Sequence, residues 1–103
     1  MLLIFLTVLV PGTVDDVTVT VVDHDTITVT WRPPNKPNGR IIQYNVTYST
    51  DDENSTRSLP TDGELTVDIN NLTPNTTYYI FVTAKTSKGF GRQEKTVNAT
   101  TRK

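Results

Sequence analysis

Short runs in which apolar and polar residues alternate constrain the fold of this chain more than any other feature. Successive side chains of a β-strand point to opposite faces of the sheet, so a period of two predicts a strand with one buried face. The alternating apolar residues are Val17 and Val19; Ile27, Val29 and Trp31; Tyr44, Val46 and Tyr48; Leu65, Val67 and Ile69; Tyr78, Ile80, Val82 and Ala84; and Val97 and Ala99. We expect a strand at each run and a weaker one near residues 56–59, forming two antiparallel sheets packed face to face.

Composition favours strands over helices. Valine, isoleucine and threonine account for 38 of the 103 residues, whereas alanine and leucine account for 9. β-branched residues are typical of strands, and alanine and leucine are typical of helices. A chain of this length forms one domain, and without cysteine it has neither a disulfide framework nor a thiolate metal site. The sequence therefore predicts a single all-β domain without cross-links.

Several segments carry a family resemblance. They are Trp31 with the following Pro33-Pro34, residues 38–48, the pattern Leu-x-Pro-x-Thr-x-Tyr from Leu72 to Tyr78 with the strand after it, and residues 87–91. In order and spacing they resemble the fibronectin type III family over about residues 14–101. The resemblance implies an immunoglobulin-like sandwich of about seven strands, with Trp31 in the core and Tyr78 as the tyrosine-corner residue. Asn75 stands where the family usually has glycine, and asparagine tolerates the positive φ that this position requires.

Alternation also separates inward from outward side chains. The predicted core consists of Trp31, Tyr44, Val46, Leu72, Tyr78, Ile80 and Val82. Tyr79 and Phe81 lie between inward residues and should point away from the core. Asn45 and Asn98 also lie between inward residues, so we expect both to be exposed.

The first ten residues are apolar except Thr7, and the pattern breaks at Pro11 and Gly12. Ten helical residues span about 15 Å, half of the hydrocarbon thickness, so this segment cannot cross a bilayer as a helix. We interpret residues 1–12 as a secretory leader or disordered extension and residues 13–103 as the domain. An artefact of the gene boundary and an ordered extension are the alternatives. As a leader, the segment should pack loosely and add nothing to the fold.

The sequence offers little for catalysis. His24 is the only histidine, and it lies between two aspartates in a predicted turn. No nucleophile elbow, phosphate-binding glycine loop or calcium-loop spacing is present. The formal net charge of −1 lacks the basic excess that nucleic-acid binding needs. We therefore expect that the domain is not an enzyme and binds no cofactor, metal ion or nucleic acid. We also expect that the domain itself does not insert into a membrane.

Glycosylation sequons exceed the chance number. Five are present, at Asn45, Asn54, Asn71, Asn75 and Asn98. With 8 asparagines and 24 serines and threonines, about two would arise at random. Together with a secretory leader, they predict an extracellular glycoprotein, although a threonine-rich strand sequence also generates sequons by accident.

Two regions are candidates for partner binding. One is the outward aromatic pair Tyr79 and Phe81. The alternative is that this pair has no binding function and only packs against long neighbouring side chains. The other is the loop carrying Lys88, Phe90 and Arg92 between glycines. Glycans at Asn45 or Asn98 would compete with a protein for the aromatic pair, and we favour glycan cover there and protein binding at the loops.

Charge is distributed unevenly. Residues 51–68 carry six acids and one base, and residues 85–103 carry six bases and one acid. The basic part suits a heparin-like glycan. We predict a non-catalytic extracellular module of a secreted or cell-surface multidomain protein that binds other extracellular proteins or neighbouring domains. A passive spacer and a glycosaminoglycan-binding module are the alternatives.

Overall fold

The computed structural model describes residues 9–92 and 96–103. Its strands are β1 Asp15–Val22, β2 Ile27–Arg32, β3 Gln43–Ser49, β4 Arg57–Thr61, β5 Thr66–Ile69, β6 Thr77–Thr86, β7 Gly89–Phe90 and β8 Val97–Thr100, with a 3-10 turn at Glu53–Ser55. Each predicted alternating run coincides with a strand except at Leu65, and the weaker run near residues 56–59 overlaps β4. The all-β prediction is confirmed.

The strands form two antiparallel sheets. One sheet has the order β1-β2-β5, and the other has the order β4-β3-β6-β7, with β8 also paired to β6. Since β3 occupies one edge of β6, β7 and β8 share the other edge. Two strands therefore fill one strand position, and the sandwich has the expected seven positions.

The core lies between the two sheets. All seven side chains assigned to it from the sequence are buried, namely Trp31, Tyr44, Val46, Leu72, Tyr78, Ile80 and Val82. Ile27, Val29, Ile69 and Ala84 complete the buried cluster. The rings of Trp31 and Tyr44 meet edge to face across the sheets, with centroids 5.6 Å apart.

The first residue of the fourth predicted alternating run, Leu65, differs from expectation. β5 begins at Thr66, and Leu65 is 37% exposed. The carbonyl oxygen of Leu65 accepts a hydrogen bond from the Trp31 backbone N–H at 3.0 Å. The backbone of Leu65 therefore pairs with β2 just before β5 begins, while its side chain is exposed to solvent instead of packing in the core.

The tyrosine corner closes the opposite end of the sandwich. Tyr78 Oη accepts a hydrogen bond from the Thr73 backbone N–H at 2.9 Å. Asn75 has φ of 54°, the left-handed conformation expected where the family usually has glycine. The Leu72 N–H donates to the Asp25 carbonyl at 2.9 Å, which ties the loop before β6 to the turn between β1 and β2.

Residues 10–12 are integrated into the domain. Pro11 is fully buried, and the Gly12 N–H donates to the Lys36 carbonyl at 2.9 Å. The loose packing expected for the N-terminal segment is wrong for these residues, because a buried ring and satisfied backbone groups hold them. Residues 1–8 lie outside the described residues, and the secretory leader stays a prediction.

Candidate functional site

The five-stranded sheet carries a surface that faces away from the core. We define its outer face by six outward residues: Asn45, Thr47, Tyr79, Phe81, Thr83 and Asn98. The antiparallel register pairs Asn45 with Thr83, Thr47 with Phe81, and Tyr79 with Asn98. Directly opposed residues on one face have Cβ atoms about 5 Å apart. The structure thus brings both aromatic residues and two sequon asparagines together on one face.

Exposure differs between the two asparagines. Asn98 is exposed, whereas Asn45 is only half-exposed, contrary to the expectation for Asn45. Asn45 lies on the central strand β3, with Pro60 on one side and Thr83 on the other. Asn98 lies on the edge strand β8, which pairs only with β6 among the described strands. Alternation predicts the face of a side chain, but the neighbouring strands decide how much of it solvent reaches.

The aromatic pair is half-buried. Tyr79 and Phe81 are both partly buried. Thr83, the next outward residue of β6, is only 8% exposed. The Asp51 carboxylate accepts a hydrogen bond from the Tyr79 hydroxyl and raises the pKa of that phenol, with the negative charge of Asp51 adding to the effect. The loop between β3 and β4, which carries Asp51, therefore influences the titration of Tyr79, and the sequence pattern does not indicate this.

A second surface lies where β6 turns into β7. Phe90 is 45% exposed, and Lys85 Nζ lies 5.0 Å from the centroid of its ring. The two residues are register partners, so the cation–π contact follows from the strand pairing. Lys88 is exposed in the turn, and its backbone N–H donates to Thr86 Oγ1 at 3.2 Å. Arg92 is exposed beside them.

The loop between β2 and β3 lies beside the same turn. The Ile42 N–H donates to the Lys85 carbonyl at 2.8 Å, and the Ile42 side chain is 47% exposed. Asn38 Nδ2 donates to the Val10 carbonyl at 2.9 Å. From the other side, the Arg92 N–H donates to the Pro11 carbonyl at 3.3 Å. Residues 10–12 thus bridge the two loops.

We call this second surface the loop end. It consists of Arg40, Ile42, Lys85, Lys88, Phe90 and Arg92. Sequence reasoning found Lys88, Phe90 and Arg92 but missed Ile42 and Lys85. Lys85 has an available signal, because it continues the outward positions of β6 after Tyr79, Phe81 and Thr83. Ile42 has none, since its alternation with Tyr44 predicts an inward side chain.

The basic residues near the C-terminus do not form one patch. Arg102 lies at the opposite end of the sandwich, where its N–H donates to the Asp23 carbonyl and its carbonyl accepts from the Asn75 N–H. The ten residues of β6 separate this end from Lys88, a distance of roughly 30 Å at strand rise. The charge counted along the sequence is therefore divided between two ends of the domain.

The remaining three sequons lie outside the strands. Asn54 is exposed in the 3-10 turn, and its backbone N–H donates to Asp52 Oδ1 at 3.0 Å. Asn71 and Asn75 are exposed in the loop between β5 and β6, with φ of 59° and 54°. Each of these asparagines is on a turn that projects from the sandwich.

No cluster of three or more histidine, cysteine, aspartate or glutamate residues in the described part of the chain has the arrangement for a metal ion. Within that same part, no helix has the length and apolar character that crossing a bilayer requires.

Comparison with known proteins decides the family. The family model for the fibronectin type III domain matches residues 11–100. The chain belongs to the fibronectin type III family. The match begins at the buried Pro11, in agreement with the packing of residues 10–12 in this fibronectin type III domain.

Relatives of this fibronectin type III domain include long cell-surface proteins. The cell adhesion molecule Dscam1 of Drosophila melanogaster is 37% identical over 94 residues, which cover 87% of this chain and 5% of Dscam1. Ephrin type-A receptor 4-A of Xenopus laevis is 33% identical over 82 residues, covering 79% of this chain and 8% of the receptor. The chain thus spans less than a tenth of either relative.

Solved structures agree with the family. The crystal structure of the FN5 domain of Drosophila Lar matches with a TM-score of 0.78 and 28% identity. The match covers 91% of this chain and 99% of the Lar domain. The fibronectin type III fold described above is therefore shared nearly end to end.

Proposed function

We propose that this fibronectin type III domain is a non-catalytic extracellular module of a longer cell-surface or secreted protein and binds another protein through its loop end. The observation that carries the proposal is the exposed pair Phe90 and Ile42 set among cations. Aromatic residues and arginine supply much of the binding energy at protein interfaces, whereas isolated surface lysines supply little. The similarity to part of an adhesion molecule and part of a receptor supports the extracellular setting.

The contacts beneath the loop end favour binding. Gly12 is hydrogen-bonded to Lys36, and Pro11 to Arg92, so the two loops are held by one segment whose central residue, Pro11, is buried. The Lys85 ammonium over the Phe90 ring further limits the freedom of that side chain. A surface that is ordered before binding loses less conformational entropy on association. The loop end is thus better suited to a partner than two independent loops would be.

The proposal is tested by comparing the partner affinity of the Phe90→Ala variant with that of the unmodified domain. Binding of the purified domain to a panel of immobilised receptor and adhesion ectodomains is measured by surface plasmon resonance, and each hit is repeated with variants. Phe90→Ala should weaken binding about tenfold or more, as expected for an interfacial aromatic. Val21→Ala is the matched control, because Val21 is 53% exposed on the other sheet.

Phe81→Ala distinguishes the two candidate surfaces. Equal affinity of Phe81→Ala and the unmodified domain supports the loop end. A large loss for Phe81→Ala with none for Phe90→Ala would assign partner binding to the outer face. Unchanged affinity in every variant would contradict both surfaces, and a lack of binding to every ectodomain of the panel would favour the passive spacer.

A heparin-like glycan is the second candidate ligand, favoured by the gathering of Arg40, Lys85, Lys88 and Arg92 at one end. Binding of anionic polymers by basic side chains weakens as salt concentration rises, because counterions are released on binding. Lys88→Gln with Arg92→Gln should lower retention on a heparin column. Arg102→Gln with Lys103→Gln, at the other end, should elute with the unmodified domain.

A further inference from the structure

The outer face has an aromatic centre, the pair Tyr79 and Phe81, that the rest of the described chain covers only in part. Tyr79 and Phe81 are each half-exposed and stand next to one another on the same side of β6. Their neighbours on β3, Thr47 and Ser49, are short. Short neighbours leave part of each side chain exposed, and a partly exposed aromatic pair on a sheet offers an apolar surface to a ligand.

Asn98 is the sequon asparagine nearest to this centre. It is the direct register partner of Tyr79, which places the two Cβ atoms about 5 Å apart on one face. Phe81 is the diagonal neighbour of Asn98 across the same strand pair. A group attached to the Asn98 side chain can therefore reach Phe81. Because β8 is an edge strand and Asn98 is exposed, an attached sugar has room to lie back over β6.

A pyranose ring suits this surface chemically. One side of N-acetylglucosamine presents C–H groups, and the face of an aromatic ring carries negative charge density that attracts them. The hydroxyls and the acetamide group stay in water or meet the neighbouring threonines.

We propose that Asn98 carries an N-linked glycan whose first sugars pack on Tyr79 and Phe81 and cover the outer face. Asn45 is the less suitable site, because it is half-buried between Pro60 and Thr83 and is paired with a threonine instead of an aromatic ring. The glycan acts as a permanent part of the domain surface and directs protein partners away from the outer face. The inference rests on the proposed extracellular setting.

The test is a double-mutant cycle on full chain secreted from eukaryotic cells. Site occupancy is read by mass spectrometry of glycopeptides, and thermal unfolding is followed by circular dichroism. Asn98→Gln should lower the unfolding midpoint by about 4 °C, a shift that is measurable for a domain of this size. In a Phe81→Ala background, removal of the same glycan should cause a much smaller shift, because the sugar has lost a contact. Asn54→Gln is the control, and it should change the midpoint little in either background.

A second readout does not depend on stability. Protons of the first sugar above an aromatic ring are shifted upfield in the NMR spectrum, and Tyr79→Leu should abolish that shift. Absence of glycan at Asn98 while Asn54 is occupied would overturn this inference and leave the extracellular proposal standing. Cytosolic retention without any glycan would overturn both. The glycan does not pack on the rings if Asn98→Gln lowers the unfolding midpoint equally with and without Phe81→Ala and no sugar proton is shifted upfield.

Discussion

At the scale of single residues, Trp31 connects the two sheets. It is 3% exposed and packs edge to face on Tyr44, and its Nε1 has no hydrogen-bond partner among the described residues. The alternation predicts that this side chain is inward. It cannot predict that the indole N–H lacks an acceptor, since that depends on which backbone carbonyls the opposing sheet presents.

Trp31→Ala should destabilise the domain by about 3–5 kcal/mol, because it removes the largest core side chain and leaves a cavity. Trp31→Phe should cost much less, since the ring keeps most of the apolar contact and the unpaired indole N–H is removed. Urea unfolding followed by circular dichroism measures both. Equal midpoints for the alanine variant and the unmodified domain would remove Trp31 from the core.

Tyr78 contributes through its hydroxyl. Tyr78→Phe leaves the Thr73 N–H without its acceptor and should cost about 1–2 kcal/mol of unfolding free energy. Tyr48→Phe is a matched control, because the Tyr48 ring lies 6.4 Å from that of Tyr78 and its hydroxyl has no hydrogen bond like that of Tyr78 to a backbone N–H of the described residues. Urea midpoints compare the two. A larger effect of Tyr48→Phe would contradict the corner as the source of the stabilisation.

The Tyr79 phenol gives a pH-dependent prediction. Its hydrogen bond to Asp51 favours the protonated form, so its pKa lies above the ordinary value of 10.0. The stabilisation is fully present below the pKa of the unfolded chain and is lost as pH rises through the folded pKa. Asp51→Asn should lower the pKa of Tyr79 and leave that of Tyr44, which burial raises, unchanged. NMR titration of the tyrosine ring carbons measures each group, and an unaltered Tyr79 titration in Asp51→Asn would exclude Asp51 as the cause.

At the scale of elements, the period-two pattern predicts the strands and their buried faces because both depend on local geometry. The start of β5 after Leu65 and the half-burial of Asn45 are not predictable in this way, since they depend on the register of neighbouring strands. The burial of Pro11 is likewise not predictable from the period-two pattern. An unbroken apolar run has no period, so the sequence cannot separate a leader from the first residues of the domain.

The close approach of the loop after β7 to the N-terminal segment depends on Gly91. A Cβ at this position would lie within 3 Å of three Pro11 atoms, including backbone. Gly91→Ala should therefore displace residues 10–12 and cost about 1–3 kcal/mol, as overpacking does. Gly12→Ala is the milder control, because its Cβ would approach the Lys36 carbonyl only to 3.3 Å. If Gly91→Ala matches the unmodified domain in urea unfolding, the contact with Pro11 is not maintained in solution.

At the scale of the whole molecule, residues 10–12 connect the N-terminal end of the domain with both loops of the loop end. A chain beginning at Thr13 loses the buried Pro11 ring and the hydrogen bonds of Gly12 and Arg92. A chain beginning at Val10 keeps all of these contacts.

We expect the shorter chain to be less stable than the longer one by about 1–3 kcal/mol, from lost apolar burial and unpaired backbone groups. Urea unfolding compares the two, and hydrogen exchange reports the Arg92 amide directly. That amide should exchange faster in the chain from Thr13, because its acceptor at Pro11 is gone. The shorter chain should also bind any loop-end partner more weakly, since its loops lose their common support. Identical midpoints and identical Arg92 exchange in the two chains would show that the domain begins after Gly12 and that the loop end is ordered without this segment.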